Sequence, residues 1–166
     1  MPSLMYAMEE LYNPLDLAES VIMDRDWVFE RTAEGELIAD VNGNWSKYHL
    51  WLNWQEEAGG LTIACSLDAK FPKPMLFKIH SLLAMVNEKL WLGHFDVSSE
   101  DMTITFRHSM LLRDGVGTSS EHLNELIDIA ISECERFYPA FQSVVWGGKS
   151  PADALALALF ETVAEA

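Results

Sequence analysis

A nine-residue segment, Lys47–Gln55, alternates strictly between an apolar side and a mixed side, and it constrains the fold more than any other feature. Successive side chains of a β-strand point to opposite faces, so the segment predicts a strand that buries only one face. One side carries Tyr48, Leu50, Leu52 and Trp54, and the other carries His49, Trp51 and Asn53. Such a strand is typical of a sheet that helices cover on one side.

The same two-residue period recurs along the chain, between segments that have a helical period. Further strands are predicted at residues 28–31, 37–41, 61–67, 95–97 and 102–106, and helices at residues 14–24, 74–90, 120–138 and 151–166. A loop is predicted at residues 111–117. Pro139 is expected to break or restart the third helix. The strands come in antiparallel groups, which predicts an α+β protein with one antiparallel sheet covered by helices. The predicted order is α-β-β-β-α-β-β-α plus a C-terminal helix, in which residues 28–31 and 37–41, split at Glu34-Gly35, count together as one strand.

This pattern also predicts the domain organisation and part of the core. A chain of 166 residues is typical of one domain. We expect an α+β domain at residues 13–146 and a helical extension of the same domain at residues 147–166. Val28 is expected in the sheet. Leu83, Phe106 and Ile127 are expected in the core, because they fall on apolar stripes.

Charge and cysteine content exclude several classes of protein. Asp and Glu number 26 against 11 Lys and Arg, a formal net charge of −15, which argues against a protein that binds nucleic acid. Cys65 and Cys134 are too few for a disulfide framework and lie in apolar stretches, so both are expected as buried thiols. The first twelve residues do not form a signal peptide pattern, and no apolar run reaches the ~20 residues of a membrane span. A cytoplasmic protein without a membrane partner is expected.

Several short motifs follow one another in a characteristic order. They are residues 86–90 (VNEKL), 92–97 (LGHFDV), 104–108 (ITFRH), 137–141 (FYPAF) and 146–148 (WGG). Together they resemble the YbjN domain family, over about residues 13–146. The resemblance implies a small, acidic, commonly dimeric fold like that of the class I type III secretion chaperones, and a role as a bacterial sensory transduction regulator. It implies no catalytic residues, because the family has no established catalytic activity.

Two features could carry chemistry, namely a series of histidines and a glycine-lysine-serine segment. The histidines are His80, His94, His108 and His122, which recur every fourteen residues. They fall on different predicted elements, and His94 and His108 are expected to differ in register by several residues. None has the spacing of a helical zinc site or a paired cysteine. Residues 148–150 (GKS) imitate a phosphate-binding loop, but Ser143 stands where that motif needs its first glycine. No metal, cofactor or catalytic residue is therefore predicted.

The sequence predicts a surface that binds a protein or peptide partner. Trp51 is expected to face away from the helices, beside Ile38 and His49, although the chain termini or another helix layer could cover it instead. The final helix is apolar on more than one face and must be buried on two sides or meet a second chain. The predicted partner-binding residues are Ile38, His49, Trp51, Leu155, Leu159 and Phe160. We expect a non-catalytic, chaperone-like regulatory module that acts as a homodimer. The alternative is a small-molecule or metal-binding enzyme that uses histidines on the open sheet face.

Overall fold

The computed structural model describes residues 13–112 and 117–165, with side chains to residue 160. Within these residues, six strands form one antiparallel sheet in the order β1-β2-β3-β4-β6-β5. They are β1 (Phe29–Arg31), β2 (Glu36–Asn42), β3 (Lys47–Gln55), β4 (Gly60–Leu67), β5 (His94–Val97) and β6 (Ile104–Leu111). The predicted α+β class is confirmed. Four strands precede the second helix where the predicted order has three, because residues 29–31 and 36–42 form separate strands.

Within the described residues, four α-helices accompany the sheet: α1 (Pro14–Asp24), α2 (Leu76–Asn87), α3 (Ser120–Val145) and α4 (Pro151–Glu165). Side chains cap the first and third at their N-termini. The Asn13 side chain accepts a hydrogen bond from the Leu15 N–H at 2.9 Å, and Ser119 accepts one from the His122 N–H at 3.1 Å. These bonds satisfy N–H groups that have no partner inside a helix, which fixes where each helix begins.

The prediction that Pro139 interrupts the third helix is wrong. Helix α3 runs through it from Ser120 to Val145. A proline removes one backbone hydrogen bond from a helix interior. Here the residues on both sides of it, including Phe137, Ala140 and Phe141, are buried in the core, and this packing holds the two halves of the helix in line.

The core lies between one face of the sheet and the helices. An aromatic cluster forms part of it: the Phe95 ring makes edge-to-face contacts with Phe106, Phe137 and Phe141 at centroid distances of 5.5, 6.1 and 5.4 Å. The predicted core residues Leu83, Phe106 and Ile127 are all buried. Val28 is not in the sheet as predicted. It precedes β1, and its side chain is 82% exposed.

Helix α4 contacts both α2 and α3. It begins after residues 148–150, where the Ser150 hydroxyl accepts a hydrogen bond from the Asp153 N–H at 3.2 Å and so caps the helix. Ala154, Leu155 and Ala158 are buried, whereas Leu157 and Phe160 are exposed. One side of the helix therefore completes the core, and the other side presents apolar surface to solvent.

Two sequence expectations fall partly outside the described residues. Residues 1–12, where no signal peptide is expected, are not among them, and neither are residues 113–116 of the loop predicted at residues 111–117. Leu111 itself belongs to β6. No helix within residues 13–112 and 117–165 is long and apolar enough to cross a membrane.

Candidate interaction surface on the open face of the sheet

The face of the sheet opposite the helices, called the open face below, is organised in cross-strand rows. Side chains that pair directly across antiparallel strands lie on the same face. One row runs across the sheet through Ile38, Trp51, Ala64, Arg107 and His94. A second, parallel row runs through Asp40, His49, Ser66, Thr105 and Asp96. The first row places an aromatic ring beside an aliphatic side chain and a guanidinium, and the second is polar throughout.

Trp51 lies at the centre of the first row. Its ring is half-buried, and the Arg107 guanidinium carbon lies 5.2 Å from the ring centroid. The Nε of Arg107 donates a hydrogen bond to Asp96 Oδ2 at 3.1 Å, which holds the guanidinium in place. Ala64, the residue between Trp51 and Arg107 in the row, has no exposed surface. The described helices α1–α4 do not cover Trp51, because they lie on the other face of the sheet.

His49 lies between two carboxylates in the second row. Its Nδ1 is 2.8 Å from Asp40 Oδ1, and its Nε2 is 3.2 Å from Asp68 Oδ1. The Nζ of Lys47 is 3.4 Å from the other oxygen of Asp40. Partial burial alone would lower the pKa of His49, but the hydrogen bonds with Asp40 and Asp68 outweigh it, so the pKa is raised. The hydrogen bond with His49 lowers the pKa of Asp40.

The structure brings three of the six predicted partner-binding residues together. Ile38 and Trp51 are direct cross-strand partners, and His49 lies two residues along the same strand. The other three lie on α4, on the helix side of the sheet. Leu155 is 4% exposed and packs in the chain's own core, so it has no surface to offer a partner. Leu159 is partly buried, and Phe160 is exposed. The predicted residues therefore belong to two separate surfaces.

Sequence reasoning did not identify the charged residues that surround His49 and Trp51. Four charged residues are functional candidates because of their contacts on the open face. The carboxylates of Asp40 and Asp68 contact the His49 ring. The Arg107 guanidinium lies over the Trp51 ring, and Asp96 accepts a hydrogen bond from Arg107. The alternation at residues 95–97 and 102–106 already places Asp96 and Arg107 on the polar side of their hairpin. Their relation to Trp51 depends on the pairing of β4 with β6, which no local pattern encodes.

The histidines do not converge on a metal site. His94 pairs with Arg107, the neighbour of His108, so the expected offset of several residues is wrong: the offset is one residue, and the two side chains lie on opposite faces. Among residues 13–112 and 117–165, no three His, Cys, Asp or Glu side chains are grouped so that they could hold a metal ion. Burial lowers the pKa of His108, helped by nearby His122 and His94.

The two cysteines are buried thiols, as predicted. The Cys134 Sγ lies 3.6 Å from the carbonyl oxygen of Cys65 and donates to it. Burial, together with the neighbouring Cys65, raises the pKa of Cys134 well above its ordinary value. Because the thiolate is the nucleophilic form, this environment keeps the sulfur protonated and unreactive.

The fold and the surface together define the structural class of the protein. It is an α+β protein whose antiparallel sheet has one face covered by helices and one open face that carries ion pairs and an aromatic ring. The profile of one family, described as "YbjN: Putative bacterial sensory transduction regulator", matches residues 14–143. The chain belongs to the YbjN family, which confirms the resemblance seen in the motifs. The family is described as regulatory and is not a known enzyme family.

No curated protein matches the chain well enough to count as a relative. Among solved structures, the crystal structure of YbjN, described as "a putative transcription regulator from E. coli", matches with a TM-score of 0.48 and 11% sequence identity, over 73% of this chain and 90% of that chain.

Proposed function

We propose that this protein is a non-catalytic, chaperone-like regulatory module that binds a protein or peptide partner through the open face. The observation that carries the proposal is the Ile38–Trp51 pair, an aromatic ring and a branched aliphatic side chain beside a row of the sheet face that is polar throughout. Tryptophan and arginine are the residues most often found at the energetic centre of interfaces. Here Trp51 and Arg107 are adjacent, and the ion pair with Asp96 already orders the arginine.

The charge of the open face favours a basic partner. Its carboxylates outnumber its fully charged cations, Lys47 and Arg107. The carboxylates are Glu30, Glu36, Asp40, Asp68 and Asp96. The formal net charge of −15 would steer a cationic segment towards the protein and repel nucleic acid. An extended or helical peptide that carries lysine or arginine beside an apolar side chain fits this combination.

Replacing Trp51 with alanine is expected to weaken partner binding by about 10- to 30-fold, the effect of losing an interface anchor of about 1.4–2 kcal/mol. A photo-crosslinking amino acid at position 38 would first capture the partner in bacterial cells. Isothermal titration calorimetry with the purified partner would then compare the variants. Trp146→Ala is the matched control, because Trp146 is 64% exposed but lies at the end of α3, on the helix side. Equal affinities of W51A and wild type would contradict the proposal.

We also propose that the protein acts as a homodimer through the outer side of α4. Leu157 and Phe160 are 42% and 72% exposed, and the neighbouring Ala152 and Ala156 are small enough to let a second helix approach closely. A two-fold interface of ordinary size removes ~800 Å² per partner from water. Like charges on the two chains oppose association, but salt screens exposed charges beyond ~8 Å at physiological ionic strength.

Sedimentation equilibrium tests the dimer. At tens of micromolar, about the weak end of specific association, the wild type is expected at twice the chain mass. The double variant Leu157→Glu, Phe160→Glu is expected at the chain mass, since it would place carboxylates in an apolar interface. Val28→Glu serves as the control, because Val28 is also exposed but lies before β1. A monomeric wild type, or a dimer that survives the double variant, would contradict this proposal.

We propose that this binding takes place in the cytoplasm. Two buried, unpaired cysteines support this location, because a reducing compartment keeps thiols free.

A further inference from the structure

We infer that His49 is a proton-operated clamp on the open face, and that loss of its proton releases Asp68 to bind a basic side chain of the partner. This inference rests on the proposed partner surface and adds the control of that surface by pH. The clamp joins three elements, because Asp40 belongs to β2, His49 to β3, and Asp68 follows β4 directly. It lies one row away from Trp51.

The hydrogen-bond geometry requires a doubly protonated ring. An ionised carboxylate can only accept hydrogen bonds, and a neutral imidazole has only one N–H to donate. Both ring nitrogens of His49 face carboxylate oxygens, at 2.8 Å for Asp40 and 3.2 Å for Asp68. Both bonds therefore exist together only in the imidazolium. When one proton leaves, one nitrogen presents a lone pair to a carboxylate, and that contact becomes repulsive.

Asp68 is the partner that is released. Its contact is the longer of the two, and its side chain is 54% exposed, so it can turn towards solvent. Asp40 has the shorter bond to His49 and a second cation, Lys47, at 3.4 Å from its other oxygen. Neutral His49 therefore keeps its hydrogen bond with Asp40 and loses the one with Asp68.

Among the residues that the structure describes, no other charged group on the packed elements compensates for the lost proton. Next in the row, Ser66 and Thr105 bond to each other through their hydroxyl oxygens at 2.7 Å. Beyond them, Asp96 is held by Arg107, with His94 Nε2 at 3.6 Å. The helices lie on the other face of the sheet. Around the clamp itself, Asp40 and Asp68 face Lys47 and His49. Deprotonation thus changes the local charge from balanced to negative.

The direction of the pH dependence follows from this geometry. The bonds to Asp40 and Asp68 raise the pKa of His49 in the folded protein, despite the opposing effect of burial. The clamp is closed below the unfolded value of ~6.5 and opens as the pH rises through the raised folded value. Binding of a cationic segment to the open face should accordingly strengthen as the pH rises through that range.

The first test is a nuclear magnetic resonance titration of the His49 ring in the full-length protein. The His49 pKa is expected above the ordinary value in wild type, and lower in both Asp40→Asn and Asp68→Asn, because each variant removes an acceptor that stabilises the imidazolium. The double variant Glu100→Gln, Asp101→Asn is the matched control. It removes two carboxylates from the turn between β5 and β6, whereas the described hydrogen-bond partners of His49 are Asp40 and Asp68. A pKa that is not raised, or that the control lowers as much as D68N does, would overturn the clamp.

The second test uses tetralysine as the probe and follows the Trp51 indole N–H resonance. One additional free carboxylate is worth a change of about 2- to 5-fold in affinity, as for an exposed ion pair. Wild type is expected to bind more tightly by this factor at pH 8.5 than at pH 6. His49→Gln and D68N are expected to lose the difference, and the Glu100, Asp101 control to keep it. Binding that is independent of pH in wild type would overturn the clamp and leave the partner surface standing. Failure of tetralysine to perturb Trp51 at any pH would count against the basic-partner surface, while the ring titration would still decide the clamp.

Discussion

Replacing Phe106 with alanine is expected to lower the free energy of unfolding by about 3–5 kcal/mol. The Phe106 side chain has no exposed surface, and its ring packs edge-to-face against Phe95 at 5.5 Å. Phe95 in turn contacts Phe137 and Phe141 of α3, so Phe106 supports the contact between the sheet and its longest helix. Truncation removes the buried ring and leaves a cavity that a close-packed interior fills only in part.

Urea denaturation followed by circular dichroism would measure this effect. Domains of this kind have total stabilities of about 5–15 kcal/mol, so F106A is expected to lose a large share of its stability. Phe77→Ala is the matched control. Phe77 is 82% exposed on α2, and its truncation should change the stability by no more than about 0.5 kcal/mol. Equal denaturation midpoints for F106A and F77A would contradict the core described here.

The same strand links this core to the candidate interaction surface. Phe106 points into the core, and the next residue, Arg107, points to the open face and stacks on Trp51. The position of the arginine therefore depends on the packing of its buried neighbour. For this reason, binding experiments should compare only variants that remain folded, and core variants report on stability rather than on recognition.

Local sequence patterns predicted most of the secondary structure, because apolar residues recur with the period of a strand in the strands and with the period of a helix in the helices. The alternation at Lys47–Gln55 gives the bounds of β3 as observed. Two errors arose where tertiary packing overrides a local signal. Pro139 is a helix breaker in isolation, but buried neighbours on both sides keep α3 continuous. Strand β6 extends to Leu111, beyond its predicted end, because His108 and the residues after it pair with β4.

Only the part of the candidate site that lies on β3 and the adjacent β2 was predictable from the sequence. The alternation of β3 placed Trp51 and His49 on the open face, and the hairpin with β2 brought Ile38 beside Trp51. The Asp68 contact depends on the register between β3 and β4, which long-range pairing sets. Leu155 was misassigned because an apolar helix without a known packing partner does not reveal which of its sides is buried.

Replacing Gly93 with alanine is expected to lower the free energy of unfolding by about 2–5 kcal/mol. The backbone at Gly93 has a φ of +71°, a left-handed conformation that costs a residue with a Cβ roughly 1–2 kcal/mol. A Cβ at this position would also lie 2.4 Å from Phe106 Cζ and 3.0 Å from the backbone oxygen of Arg107. The Phe106 ring is fixed by the aromatic cluster and cannot move away freely, so overpacking adds about 1–3 kcal/mol.

Gly148→Ala separates the two contributions. Gly148 has a similar φ of +67°, but a Cβ there would meet no heavy atom within 4 Å. Both substitutions reduce the entropy of the unfolded chain by the same amount, so this effect cancels between them. The difference in unfolding free energy between G93A and G148A, measured in urea, should then equal the overpacking contribution of about 1–3 kcal/mol. If the two variants lose the same stability, the close approach of Gly93 to Phe106 and Arg107 carries no energetic weight, and the start of β5 is held by backbone conformation alone.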